Sequence, residues 1–596
     1  MSVLDRIERL RNVMEQQKID CYIIPTDDYH HSEYVGDYFK FREYITGFTG
    51  SAGTAVFTKD KAGLWTDGRY FIQAEAQLKG SGITLYKSGE SDVPTIEEFL
   101  KSELKEGDVL GFDGRTVTYA QGKRYCHIAD ENGASLKYSL DFAQNIWKER
   151  PEMSMESVFS LEDEYTGEKI GSKLERIREV MKENGCNAHV LSSLDDIAWL
   201  LNIRGNDIAY CPLVLSYAIV YNNSVELFAD IRKFSDDIIN LLAENQVKIY
   251  PYEDIYRKVS EMTSEDKLLL DSSIMNYSLY QAISKETVIV DKQNPEILMK
   301  SVKNETQAEN LRKAHLKDAV AHTKFMYWLK KNIGRVEITE LSASARLEGL
   351  RAEQEHFLGP SFGPISAYGE HGAIVHYSAD EKSNVPLKEG KLFMTDTGGH
   401  YLEGSTDITR TVALGEVGNI EKEHFTLVAR AMLRLANTVF LYGCSGANLD
   451  CISREVFWKE GLNFNHGTGH GVGYLLNIHE GPINFRWKEG ERPAPALEEN
   501  MVITDEPGIY IEGSHGIRLE NELLVRKTVK NEYGQFMNFE ILTYVPIDLD
   551  AILPEKMSTE EKEMLNHYHK HVYEKVSPYL SEEERIWLKE YTRAVK

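Results

Sequence analysis

The chain has 596 residues, of which 42% are hydrophobic and 27% charged, and its formal net charge at pH 7 is −26. This length exceeds what one hydrophobic core supports, so three or four domains of about 150 residues each are expected. The negative charge argues against a surface that binds the phosphate backbone of nucleic acids or an anionic membrane.

The N-terminal segment predicts an amphipathic helix rather than a signal peptide. Apolar residues recur at helical spacing within residues 6–17, without the uninterrupted apolar core of a signal peptide. A short apolar strand is predicted at 21–24. Glycines punctuate 44–55 and 63–70, which predicts strands and turns. No dinucleotide or phosphate-loop motif is spelled out there, so structural turns are favoured over an anion site.

The first half of the chain repeats itself. The segment RIERLRNVM at 6–14 returns as KLERIREVM at 173–181, about 167 residues later. A second strand is predicted at 188–191, and IAWLLNIRG at 197–205 takes the place of YITGFTG. This repetition indicates a duplicated α/β unit, with the Glu-, Ser- and Pro-containing segment 148–169 as linker.

A third region begins near Pro295. Two helices are predicted at 306–331 and 338–354. After them the pattern changes to short strands separated by glycines, which is typical of a sheet-rich domain. The segments that predict strands are 359–377, 391–397, 406–414, 463–482, 501–510 and 516–525.

The tail from Asp548 is predicted to be helical. Two capping boxes, Ser558-x-x-Glu561 and Ser581-x-x-Glu584, mark helix starts. Two explanations of its apolar stripe stay open: docking on the preceding domain, or contact with another subunit. The stripe comprises Met564, Leu565, Tyr568, Val572 and Val576.

A glycine-rich turn joins the strands predicted at 391–397 and 406–414, which predicts a hairpin. Asp396 and Asp407 would then lie on facing strands, where opposite residues share a face at ~5 Å. Two carboxylates that close repel each other, and a cation between them removes the repulsion. The alternative is that both aspartates are solvated loop or cap residues.

Three further residues have side chains of the types that bind metal ions in proteins. His470 lies in NHGTGHGVGYLLNIHEGP, Glu506 in MVITDEPGIY and Glu520 in GIRLENELLV. Taken singly, each has an ordinary explanation: a turn histidine, a glutamate that ends a strand, and a surface-facing carboxylate. Together with the hairpin aspartates they form an oxygen-rich set suited to Mn²⁺, Co²⁺ or Zn²⁺. Two such ions support metal-assisted hydrolysis, and the absence of H-E-x-x-H excludes a zincin.

At these residues the sequence resembles a known family. Asp396 and Asp407, HGTGHGVG, TDEPGIY and GIRLEN follow the order found in the pita-bread metallopeptidases. Within that superfamily the chain is similar to the long, three-domain aminopeptidase P (Xaa-Pro aminopeptidase) family. YITGFTGSAGTAVFT, LWTDGRYFIQA and IAWLLNIRGNDI resemble that family's creatinase-type domains.

The resemblance implies an α/β (α+β) fold of four parts. Two creatinase-like α/β domains would occupy residues 1–155 and 156–303. A pita-bread catalytic domain would follow at 304–547, and a helical C-terminal extension at 548–596.

The resemblance also implies roles for the five candidate ligands. Asp407 and Glu520 would bridge two divalent ions, most simply Mn²⁺, with Co²⁺ or Zn²⁺ as alternatives. Asp396 would be terminal on one ion, and His470 and Glu506 terminal on the other. A hydroxide that bridges the ions would be the nucleophile, with Glu506 assisting proton transfer.

Four more residues match family positions around the substrate. His376 and His479 would contact the scissile carbonyl or the substrate main chain and stabilise the oxyanion. His466 would line the substrate side, and Arg518 would orient ligands.

The implied activity is removal of the N-terminal residue from peptides whose second residue is proline. A cytoplasmic homodimer without nucleic-acid or membrane partners is expected. The six scattered cysteines, which include no C-x-x-C pair, fit the reduced thiols of a cytoplasmic protein. Two alternatives stay open: a prolidase-type Xaa-Pro dipeptidase, and a catalytically dead pita-bread binding protein. Chain length disfavours the first, and the five intact ligands disfavour the second; they also disfavour creatinase, which uses no metal.

Overall fold

The computed structural model describes residues 1–488, 490 and 493–596. These residues form two units, one of residues 1–161 with 168–296 and the other of residues 162–167 with 297–596. The predicted division into four domains is finer than these two units and stays a prediction.

The N-terminal part of the first unit is a six-stranded sheet with helices. Its strands are β1 (Cys21–Pro25), β2 (Thr54–Thr58), β3 (Ala62–Thr66), β4 (Thr84–Lys87), β5 (Val109–Phe112) and β6 (Ser135–Lys137). Its helices are α1 (Val3–Gln17), α2 (Phe41–Thr46), α3 (Phe71–Gln77), α4 (Ile96–Glu103), α5 (Tyr119–Glu131) and α6 (Phe142–Ile146). The strand order is β4-β3-β2-β1-β5-β6.

The next part of the chain builds a second sheet. Its strands are β8 (Ala188–Leu191), β10 (Tyr217–Tyr221), β11 (Val225–Phe228), β12 (Val247–Tyr250), β13 (Lys267–Leu270) and β14 (Val288–Asp291), and a separate pair is formed by β7 (Phe159–Ser160) and β9 (Ile203–Arg204). The helices are α7 (Asp163–Thr166), α8 (Ile170–Glu183), α9 (Leu194–Leu200), α10 (Asp236–Glu244), α11 (Asp254–Ser260), α12 (Tyr277–Ala282) and α13 (Pro295–Ser301). The sheet order is β12-β11-β10-β8-β13-β14.

The two sheets have the same topology, which confirms the predicted duplication. In the first sheet, β1 pairs antiparallel with β2 and parallel with β5. In the second, β8 pairs antiparallel with β10 and parallel with β13. One local expectation is wrong: residues predicted as strand and turn from Tyr44 onward begin inside helix α2. Gly47, in the left-handed conformation with φ of +73°, ends that helix.

The second unit combines long helices with small sheets. The helices are α14 (Glu305–Asn332), α15 (Glu340–Ala352), α16 (Asn419–Ala436), α17 (Gly446–Trp458), α18 (Thr559–Val576) and α19 (Glu582–Tyr591). The strands are β15 (Phe357–Pro360), β16 (Ile365–Tyr368), β17 (Lys391–Thr397), β18 (Gly399–Tyr401), β19 (Gly404–Ser405), β20 (Ile408–Leu414), β21 (Phe440–Leu441), β22 (Gly469–Gly471), β23 (Glu480–Phe485), β24 (Val502–Asp505), β25 (Gly508–Ile511), β26 (His515–Arg518), β27 (Asn521–Asn531) and β28 (Gly534–Ile541).

Two sheets of this unit carry the candidate site. One has the order β16-β17-β20, and the other β21-β28-β27-β24-β22-β23. In the part of the chain that the structure describes, none of the helices combines the length and apolarity needed to cross a membrane.

The helices of the second unit share one core with its central strands. Phe325 of α14, Phe393 of β17, Met432 of α16 and Leu565 of α18 belong to one buried cluster. The apolar stripe of the tail therefore packs on its own unit, which is the first of the two explanations given above. Both predicted capping boxes are present at the starts of α18 and α19. Helices α16 and α17 had not been predicted.

Candidate metal centre and active site

The predicted hairpin is present and carries two of the five candidate ligands. Strands β17 and β20 pair antiparallel, with Asp396 opposite Thr409. Asp407 lies one residue before β20. The two carboxylates are therefore diagonal neighbours rather than direct opposites. The connection is also more than a bend, because β18 and β19 form a second small hairpin within it.

The other three candidate ligands come from the larger sheet. His470 is the middle residue of β22. Glu506 directly follows β24, and Glu520 lies between β26 and β27. Because β22, β24 and β27 are close neighbours in that sheet, residues far apart in sequence are brought to one place.

All five candidate ligands converge. Within each of three residue groups, one ligand atom per residue lies within 4.8 Å of the others. The groups are Asp396 with Asp407 and Glu520, His470 with Glu506 and Glu520, and Asp407 with His470 and His479. Asp407, His470 and Glu520 each belong to two of these groups, and of the three only the carboxylates offer two oxygens that could be shared between neighbouring cations.

His470 presents one defined nitrogen to the carboxylates. Its Nδ1 lies 2.9 Å from the carbonyl oxygen of Gly471, and a carbonyl can only accept, so Nδ1–H donates. Its Nε2 lies 3.5 Å from Asp407 Oδ2 and 3.8 Å from Glu506 Oε1. A main-chain acceptor on one nitrogen that orients the other is the usual arrangement of a metal-binding histidine.

Burial and repulsion between neighbouring charges raise the pKa of three site carboxylates, Asp407, Glu506 and Glu520. Burial raises the pKa of Asp407 to about 7, and the charge of Asp396 adds to this. Burial raises the pKa of Glu506 to about 7 as well. For Glu520, burial and then the Asp407 charge hold the pKa well above its usual range. Nearby positive charge would relieve this strain.

These residues fit a pair of divalent cations. Four carboxylates and one imidazole suit hard or borderline ions such as Mn²⁺, Co²⁺ or Zn²⁺. The Oδ1 atom of Asp396 is buried without a hydrogen-bond partner among the described residues, as a ligand atom awaiting a cation would be. Four negative charges are balanced by two divalent ions, and such a centre can assist hydrolysis.

A hydrogen-bonded chain runs outward from Asp396. Arg518 donates to Asp396 Oδ2 through Nη2 at 2.5 Å and through Nε at 3.2 Å. Its Nη1 donates to the Tyr510 hydroxyl at 2.6 Å, and that hydroxyl lies 2.8 Å from His466 Nε2. Burial, followed by the charge of Arg518, lowers the pKa of His466 to about 3. His466 is therefore neutral, and its Nε2 accepts the hydrogen bond of the Tyr510 hydroxyl. Its Nδ1 lies 4.0 Å from Glu506 Oε2.

The two remaining candidate histidines differ in their placement. The ring of His479 lies 4.2 Å from that of His470, nearly perpendicular to it. His376 is close enough to His466 for their charges to interact. It lies outside the three possible metal-holding groups found in the described part of the chain.

Tyr510 and Thr409 are site residues that the sequence patterns did not single out. Thr409 donates from its hydroxyl to Glu520 Oε2 at 2.8 Å and accepts from Arg518 Nε at 3.3 Å. Tyr510 ends the motif TDEPGIY, four residues after Glu506, so its motif was the signal that could have found it. Thr409 offered no signal, because its partners lie more than 100 residues away.

Family models match most of the chain. The creatinase/prolidase N-terminal domain matches twice, at residues 6–137 and 149–307. Metallopeptidase family M24 matches residues 309–527, and the C-terminal region of peptidase M24 matches residues 535–595.

Individual relatives match over nearly their full length. Xaa-Pro aminopeptidase 1 of Dictyostelium discoideum is 36% identical, with 97% of this chain and 94% of that protein covered. Aminopeptidase P1 of Arabidopsis thaliana is 34% identical, with 99% of both covered.

Solved structures give the same picture. The X-prolyl aminopeptidase of Caenorhabditis elegans, described as a cytosolic enzyme with a di-nuclear active site, matches with a TM-score of 0.95. It is 33% identical, with 100% of both chains covered. An Xaa-Pro dipeptidase of Bacillus anthracis shares the fold over 64% of this chain and 99% of its own, at a TM-score of 0.51 and 24% identity.

Proposed function

The chain belongs to metallopeptidase family M24, among the Xaa-Pro aminopeptidases with creatinase-type N-terminal domains and a pita-bread catalytic domain, and on this premise we propose its reaction. The protein hydrolyses the bond between the first residue of a peptide and a proline at the second position. The observation that carries the proposal is the convergence of Asp396, Asp407, His470, Glu506 and Glu520 within overlapping ligand groups.

We propose that these five residues hold two divalent ions. Asp407 and Glu520 would be shared by both ions, Asp396 would hold one, and His470 and Glu506 would hold the other. When bound, such ions activate water and polarise the scissile carbonyl. Mn²⁺ is the proposed ion; Co²⁺ and Zn²⁺ accept the same donor set.

Side chains of the protein transfer the proton, stabilise the oxyanion and orient the candidate ligands. Glu506 accepts a proton from the attacking water and returns it to the proline nitrogen, which has no hydrogen of its own in the peptide bond and needs one to leave. His376 and His479 donate to the oxyanion that develops on the carbonyl. Arg518 fixes Asp396 through two of its nitrogens. His466 lines the substrate side and holds the Tyr510 hydroxyl.

A cytoplasmic location is part of the proposal. All six cysteines are free thiols, and the C. elegans relative is described as cytosolic. The homodimer stays a prediction from the family resemblance. So do the four-domain boundaries, although the family-model matches at 6–137, 149–307, 309–527 and 535–595 support a division of this kind.

A two-substrate assay tests the proposed reaction. Protein loaded with Mn²⁺ is given Arg-Pro-Pro and the dipeptide Gly-Pro in parallel, with metal-stripped protein as control. We expect release of arginine from Arg-Pro-Pro by the loaded protein alone. Cleavage of Gly-Pro only would identify a dipeptidase, and inertness towards both would favour a binding protein.

A further inference from the structure

A buried glutamate outside the ligand set contacts the main chain of Asp407. Glu522 is the second residue of β27 and is fully buried. Its Oε1 accepts a hydrogen bond of 2.6 Å from the N–H group of Asp407. Among the described residues, Glu522 belongs to none of the three groups that could hold a metal ion. It therefore acts on Asp407 from the main-chain side.

The other oxygen of Glu522 faces helix α14. His315 of that helix is fully buried, and its Nε2 lies 3.1 Å from Glu522 Oε2. The two atoms are close without the alignment of a hydrogen bond, so His315 packs against the Glu522 carboxylate. The main chain of Glu522 is fixed as well, since its N–H donates to Thr543 Oγ1 at 2.9 Å. Both carboxylate oxygens of Glu522 thus have defined neighbours.

Helix α14 also holds the residue before Asp407. The Thr406 hydroxyl donates to Asp318 of α14 in a short hydrogen bond. Asp318 in turn accepts from Arg351 Nε at 2.7 Å. His315 and Asp318 are three residues apart and share one face of the helix. One helix face therefore supports both residues that flank this peptide: Thr406 through its hydroxyl, and Asp407 through Glu522.

The direction of the Asp407 carboxylate depends on this peptide. Asp407 precedes β20, so the regular strand pairing does not by itself fix its backbone. Its N–H group instead has Glu522 Oε1 as its acceptor, and a buried N–H group that lost its acceptor would be costly to leave unpaired. Because the Asp407 carboxylate belongs to two ligand groups, a displacement of its backbone would disturb both cation positions.

We propose that Glu522 is a positioning residue for the metal centre: it fixes Asp407 through the main-chain N–H, and His315 holds the Glu522 carboxylate in place. The inference rests on the proposed function, since it concerns the affinity of that centre for its ions. It assigns Glu522 no contact with substrate or metal.

Two conservative variants of Glu522 separate the effect of where its carboxylate oxygen lies from the effect of its negative charge. Glu522→Gln keeps an acceptor oxygen in reach of the Asp407 N–H and removes the charge. Glu522→Asp keeps the charge and withdraws the oxygen by one methylene. Mn²⁺ is titrated calorimetrically into metal-free protein, and the visible absorption of the Co²⁺-loaded protein reports ligand geometry. We expect near-wild-type affinity and spectrum for Glu522→Gln, and about 10–100-fold weaker binding with an altered spectrum for Glu522→Asp.

Asp548 provides a matched control. It is buried, accepts the N–H of Ala413 in the same strand β20 at 2.8 Å, and pairs with Lys330 of the same helix α14 at 2.6 Å. Ala413 lies near the end of β20 that is remote from Asp407. Asp548→Asn should lower the melting temperature and leave Mn²⁺ affinity unchanged.

The outcomes of this experiment are distinct. Glu522→Asp with wild-type affinity, or Glu522→Gln binding more weakly than Glu522→Asp, overturns the positioning role while the proposed function stands. A wild-type protein that binds no Mn²⁺ overturns both.

Discussion

Arg518 donates hydrogen bonds to one carboxylate oxygen of Asp396 and leaves the other oxygen available to the candidate metal site. Two guanidinium nitrogens contact Oδ2, at 2.5 Å and 3.2 Å. The Oδ1 atom is buried and has no hydrogen-bond partner among the described residues. The carboxylate is thereby held in one orientation, with a single oxygen available to a cation.

Arg518→Lys should weaken the metal centre although it keeps the charge. A lysine ammonium cannot reproduce the planar fork that contacts both Asp396 and the Tyr510 hydroxyl. We expect kcat/KM and Mn²⁺ affinity to fall by roughly 10–100-fold, as for other residues that orient ligands. Arg312→Lys is the control, because Arg312 forms a two-nitrogen contact with Glu540 outside the candidate ligand set. Equal effects of the two substitutions on Mn²⁺ affinity would contradict this role for Arg518.

His479→Ala should separate metal binding from turnover. The proposed role of His479 is to donate to the oxyanion, and loss of one such donor costs roughly 10²–10³ in kcat. Its ring nevertheless lies in a possible ligand group with Asp407 and His470. Metal analysis beside steady-state kinetics decides between the roles: two ions retained with low kcat supports the donor, whereas loss of an ion would make His479 a ligand.

Lys303→Met should destabilise the segment that carries His479. Lys303 and Glu480 form a short ion pair, with side chains only 1% and 2% exposed. Removing one partner of a buried pair costs about 3–5 kcal/mol, whereas replacing both with apolar groups is often neutral. The single variant should therefore have a melting temperature well below that of wild type. The double variant Lys303→Met/Glu480→Met should recover most of that decrease in melting temperature. A single variant as stable as wild type in thermal melting would refute this.

His569 should contribute a pH-dependent term to stability. It is fully buried in α18, its Nε2 accepts the N–H of Ile547 at 3.1 Å, and burial lowers its pKa to about 3. Its unfolded pKa is about 6.5, so between these values the unfolded state binds the extra proton. The stability contribution is complete above pH 6.5 and falls on acidification by roughly 1.4 kcal/mol per pH unit.

His569→Gln keeps an acceptor for Ile547 and removes this term. The difference in melting temperature between wild type and His569→Gln should therefore shrink from pH 7 to pH 5. The exposed His567, two residues earlier in α18, supplies the control His567→Gln. A difference for His569→Gln that stays constant with pH would count against the proposed term.

The five candidate ligands could be predicted from the sequence because each lies in a recognisable sequence motif. Asp396 and Asp407 flank a glycine-rich connection, and His470, Glu506 and Glu520 interrupt patterns of glycine or apolar residues. Repetition of the N-terminal helix and strand likewise predicted a duplicated α/β unit, and the structure confirms it with two sheets of the same topology.

The residues that contact and orient the candidate ligands could not be predicted in this way. Glu522 occupies an ordinary strand position, and its contact with Asp407 spans 115 residues of sequence. Contacts of such length follow from strand pairing and from the packing of α14, neither of which leaves a local pattern. Helix α2 was not predicted either: the glycines from Tyr44 onward indicated strand and turn, whereas Gly47 ends a short helix.

The central claim is that five side chains of the second unit hold a pair of divalent ions, and metal stoichiometry tests it most directly. Wild type and Asp407→Ala are saturated with Mn²⁺, desalted and analysed for metal, with Arg-Pro-Pro turnover measured on the same samples. Two ions per wild-type chain, with at most one ion and almost no turnover in Asp407→Ala, is the predicted result. Wild type without bound manganese, or Asp407→Ala with two ions and full turnover, would contradict it.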